Sequence, residues 1–75
     1  MSNQSNMKMK LAAEITATEN ILNEWNSTLQ MAIEQKEPRT AQLAIKKIST
    51  LTIDLIFLNA IYEDMVNQNK DKKAA

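Results

Sequence analysis

The chain contains no glycine, no cysteine and no histidine, a single proline, and one residue each of tryptophan, tyrosine and phenylalanine among its 75 residues. Each absence closes off a class of function. Without glycine, none of the usual glycine-rich loops that let backbone amides close around a phosphate can form. Without cysteine there is no thiol nucleophile and no disulfide, and without histidine the commonest general base and metal ligand are missing. No cofactor and no metal are therefore expected, and the chain reads as a non-enzyme.

Charge of one sign is also missing in excess. Nine basic and nine acidic residues cancel, so no global field draws the chain to nucleic acid or to an anionic membrane, and the balance favours protein partners. Long apolar runs are absent too. The longest, Leu51 to Tyr62, is interrupted by Thr52, Asp54 and Asn59 and falls short of the roughly 20 residues needed to span a bilayer. The first residues, Met1 to Lys10, are polar with scattered methionine and carry no signal-like apolar segment, so a cytoplasmic location is expected.

What is present is a pair of apolar ladders on either side of Pro38. Leu11, Ile15, Thr18, Leu22, Trp25, Leu29 and Ala32 recur at alternating steps of four and three, and Ala41, Ala44, Ile48, Leu51, Leu55, Leu58, Tyr62 and Met65 do the same. That spacing puts each set on one face of a helix. Folding the chain back at Lys36–Glu37 makes the ladders meet rung for rung, with Ala32 opposite Ala41, Trp25 opposite Ile48, Leu22 opposite Leu51 and Leu11 opposite Tyr62. Pro38, with its fixed φ and missing amide, suits the first turn of a helix and disfavours helical geometry in the residue before it.

The fold expected is all-α: an antiparallel hairpin of two long helices, assembling into a four-helix bundle as a homodimer or with a helical partner. Helix 1 is predicted over about residues 7–35, the turn at about 36–37 and helix 2 over about 38–69, with a disordered N-terminus at 1–6 and a charged flexible tail at 70–75. Ser5 or Asn6 is the expected N-cap. The rival, one bent helix running through Pro38 and pairing in trans, would carry an interior proline at a cost of about 3 kcal/mol.

Helix 2 is apolar beyond its ladder. Ile45, Ile53, Ile56, Phe57, Ala60 and Ile61 all fall off the seam, and one neighbouring helix covers only one stripe of another. These six form the expected partner-binding face, either the core of a self-associated bundle or a docking surface for another protein's helix. The expected hairpin seam is Leu11, Ile15, Leu22, Trp25 and Leu29 against Ile48, Leu51, Leu55, Leu58 and Tyr62. A chain this short buries only about 60 % of its unfolded surface even when compact, which adds to the need for a partner.

Polar residues in helix 2 read as structural. Asp54 and Asn59 flank the most apolar stretch and can set register or partner choice, as isolated polar groups do in coiled coils. Glu63 and Asp64 are adjacent and so point about 100° apart, which makes them a solvated pair and no acid–base or metal site. Met1, Met7, Met9, Met31 and Met65 are too dispersed for a metal or peptide-accommodating patch. Lys46, Lys47 and Arg39 make a basic group too small for several phosphate contacts. The function expected is a small protein–protein interaction module of adaptor, chaperone or inhibitor type; the alternatives are a dimeric regulator acting on nucleic acid or transcription machinery, and a structural subunit of a helical assembly.

Overall fold

The computed structural model describes the backbone over residues 3–74 and side chains over residues 6–68. Two helices make up the fold, α1 (Asn3–Glu34) and α2 (Pro38–Ala74), packed antiparallel as a hairpin. At 1.5 Å per residue the 37 residues of α2 span about 55 Å, and the molecule measures 58 × 19 × 13 Å. Its radius of gyration is 17.1 Å, against about 11 Å for a compact domain of this length. The shape is a flat rod two helices wide.

The rods meet in the register expected from the ladders. Leu11 shares a cleft with Ile61 and Met65, Glu14 and Thr18 share one with Asp54 and Leu58, and Ala32 lies against Pro38 and Ala41 at the turn. At the open end the Lys8 Nζ stands 5.8 Å from the centre of the Tyr62 ring, a cation–π contact. Ala32 and Ala44 are buried, and the other rungs from Leu11 to Leu29 and from Ala41 to Met65 are half-buried. With small side chains at the turn-proximal rungs, the two backbones can approach most closely there. Thr18, the one polar rung, donates its hydroxyl to the Glu14 carbonyl oxygen at 2.8 Å, which satisfies the group within its own helix.

The reversal is built by a defined motif. Glu37 donates its amide to the Ala32 carbonyl at 2.8 Å and Lys36 donates to the Ile33 carbonyl at 3.2 Å; this pair of bonds is the Schellman closure of a helix C-terminus. It requires a left-handed residue between them, and Lys36 takes that role with φ 57°. In a chain without glycine a side chain must accept that conformation, at about 1 kcal/mol. Pro38 then opens α2 as its first helical residue, and the Glu37 carbonyl accepts the Ala41 amide at 3.0 Å.

The ends differ from the sequence-based boundaries. α1 starts at Asn3 and takes in Ser5 and Asn6, and α2 continues through residues expected in a charged tail as far as Ala74. No glycine or proline interrupts either stretch, and lysine, glutamine and alanine are good helix formers, so nothing local stops the helices. The expectations for Met1, Ser2 and Ala75 fall outside the described residues. At the turn, α1 ends at Glu34 instead of residue 35, because Gln35 is the last residue still bonded helically, its amide donating to the Met31 carbonyl at 2.9 Å.

Three stability outcomes follow from this packing. Lys36→Gly should raise the unfolding free energy by about 1 kcal/mol in urea titration, since glycine removes the left-handed penalty. Leu22→Ala should cost about 2 kcal/mol, the low end of the core range because the side chain is only half-buried, and Ala44→Leu about 1–3 kcal/mol by overfilling a buried rung. All three would be read from the same titrations.

Candidate interaction surface

The outer side of α2 carries the apolar residues that the seam does not use. Ile53, Ile56, Phe57 and Ala60 stand at successive steps of three, one and three, which places them on one helical face about 10 Å long. All four are exposed. Ile56 and Phe57 retain 62 % and 64 % of their free accessibility, far above what a large apolar side chain keeps inside a folded core. The rungs Leu51, Leu55 and Leu58 point the other way, into α1, and fix the rotation of α2 that turns this face outward.

The six residues expected to form a partner face are all exposed, and they divide into three groups. Ile53, Ile56, Phe57 and Ala60 form the contiguous patch. Ile45 lies closer to the turn, in a shallow depression with Arg39, Gln42, Leu43 and Lys46. Ile61 turns toward α1 and lines a groove with Met7, Lys10, Leu11, Glu14 and Met65. That groove belongs to the flank of the hairpin, and Phe57, one turn before Ile61, lines the neighbouring cleft with Glu14 and Thr18, so Phe57 links the outer patch to this flank.

The polar residues near the patch are solvated. Asp54 is exposed and lines the cleft with Glu14, Thr18, Phe57 and Leu58, so the expense of a lone buried charge does not arise. Asn59, Glu63, Asp64, Lys46 and Lys47 are exposed as well. No buried side-chain nitrogen or oxygen among the described residues lacks a hydrogen-bond partner, and no group of three or more carboxylates gathers there to hold a metal ion. The arrangement offers apolar area on a rigid helix, bracketed by charge.

The structure also exposes apolar residues that the ladder pattern leaves unnamed: Ile21, Met31 and Ile33 on α1 and Leu43 on α2. Ile21 sits one residue before the rung Leu22, and Ile33 one residue after the rung Ala32. Adjacent residues on a helix lie about 100° apart, so each borders the seam without entering it. A search for apolar residues next to rungs, in addition to the rungs, would have found them.

Among the described residues no helix is long and apolar enough to cross a membrane. No protein-family model, curated protein or solved structure matches the chain.

Proposed function

We propose that the protein is a small non-enzymatic interaction module that binds a helix, its own or another protein's, through the outer face of α2. The observation that carries this reading is the set of large apolar side chains left uncovered on one helix: Ile45, Ile53, Ile56, Phe57 and Ile61 of α2 each keep more than half of their free accessibility. A contiguous apolar patch of this kind on a helix marks a contact surface.

The mechanism is helix-on-helix docking. A helical face presents isoleucine and phenylalanine side chains with few rotors, on a backbone already ordered by the hairpin seam, so association need not order the chain anew. Burying an apolar side chain of this size contributes about 1.5–3 kcal/mol, and Phe57 near the middle of the patch is placed to anchor the contact. Adaptor, chaperone and inhibitor roles all reduce to this step. The balance of nine basic and nine acidic residues supports a protein occupant over a nucleic acid, whose binding is dominated by phosphate neutralisation.

Phe57→Asp tests the reading, because it sets a charge in the centre of the contact while leaving the seam alone. Circular dichroism should show the parent's helix content, and self-association or partner binding, measured by sedimentation and by titration, should weaken at least tenfold. A variant that keeps the parent's mass and binding would eliminate the face.

A further inference from the structure

The outer face of α2 has a symmetry of composition that identifies its occupant. Lys46, Ser49, Ile53, Ile56, Ala60 and Glu63 follow one another at steps of three, four, three, four and three, the spacing of a stripe that packs along a neighbouring helix. The step pattern is the same from either end. Its chemistry is self-complementary too: charge, small residue, isoleucine, isoleucine, small residue, opposite charge. All six are exposed.

Resting on the interaction-module reading, we propose that this stripe is occupied by the same stripe of a second copy, running antiparallel about a twofold axis that crosses α2 between Asp54 and Leu55. Ile53 of each copy then stacks on Ile56 of the other, giving two apolar layers at the centre. Ser49 faces Ala60 of the second copy, where small side chains allow close approach. Lys46 faces Glu63 of the second copy at both ends, so the apolar layers are closed by two opposite-charge pairs. Phe57 borders the central layers on one side, and the polar Thr52 and Asn59 border them on the other.

Two alternatives are disfavoured by charge. A parallel pair in register stacks Lys46 on Lys46 and Glu63 on Glu63, which repels at both ends. Sliding the antiparallel pair by one heptad sets Glu63 against Ile53 of the other copy in one direction and Lys46 against Ile56 in the other, so a charge meets the apolar layers either way. Asp54, on the flank toward α1, stays outside the contact in the proposed register, so no carboxylate is buried against its twin.

Charge reversal tests this arrangement at exposed positions where the hairpin itself is not disturbed. The parent should sediment as a dimer. Lys46→Glu alone and Glu63→Lys alone should each weaken dimerisation roughly tenfold, with unchanged helix content. An equimolar mixture of the two single variants should form a one-to-one heterodimer of near-parental affinity, and the double variant should dimerise with itself again. If the parent is a dimer and both single variants match it, or their mixture gains nothing, the antiparallel α2 contact is wrong while self-association through another face stands. A parent that stays monomeric at every concentration reached overturns the second copy as occupant; the broader reading then depends on Phe57→Asp and a different partner.

Discussion

A single helix–helix seam covers one stripe of each helix, and everything else about this molecule depends on that constraint. α1 leaves Ile21, Met31 and Ile33 exposed beside its stripe. α2 has apolar residues on several sides between Leu51 and Ile61, and the seam absorbs only the rungs. The consequence is a fold in which Ala32 and Ala44 alone, among the described residues, are buried apolar side chains. Small domains with so little interior normally rely on disulfides, metals or association, and in a chain without cysteine or histidine this general rule is one ground for the proposed contact through α2.

The turn makes the exposed face usable. If the two helices were joined by a loose loop, α2 could rotate and trade seam residues for outer ones. The Schellman bonds from Glu37 to Ala32 and from Lys36 to Ile33, followed at once by Pro38, hold the chain's exit and re-entry in one geometry. The small rungs Ala32, Ala41 and Ala44 next to this turn fix how close and at what rotation the helices begin. From there the alternation of threes and fours propagates the same rotation to the open end, where Lys8 meets Tyr62. The strain at Lys36 is thus coupled to the orientation of a surface more than ten residues away in the chain.

The fold was readable because two signals agreed. Hydrophobic spacing marked one apolar stripe on each helix and the lone proline marked the reversal, so an antiparallel hairpin with Leu11 near Tyr62 and Thr18 near Leu55 could be written from the sequence. The helix ends were less legible: Asn3–Asn6 and the lysine-rich end of α2 carry neither a breaker nor an apolar rung, and helix continuation there is settled by the absence of a stop. The left-handed Lys36 was invisible, since no glycine or asparagine marks it. The candidate surface was legible as a set of six residues but not as a shape, because off-seam membership alone does not say which side of the helix a residue takes. Phe57 and Ile61, one turn apart, line neighbouring clefts beside α1, whereas Ile53, Ile56 and Ala60 line neither.

Charge placement decides between a closed pair and an open chain of hairpins. Apolar stripes of uniform character can slide and pair end over end, and a heterologous contact that does not close on itself grows into a filament. On α2 the apolar stretch is bracketed, with Lys46 and Lys47 ahead of it and Glu63 and Asp64 after it. In the proposed dimer, opposite charges at opposite ends of one short stripe satisfy each other when two copies lie antiparallel in one register, an isologous arrangement that uses up both stripes at once. The same bracketing would reject a helix presenting like charges at the matching positions, so in that arrangement specificity and closure come from the same side chains.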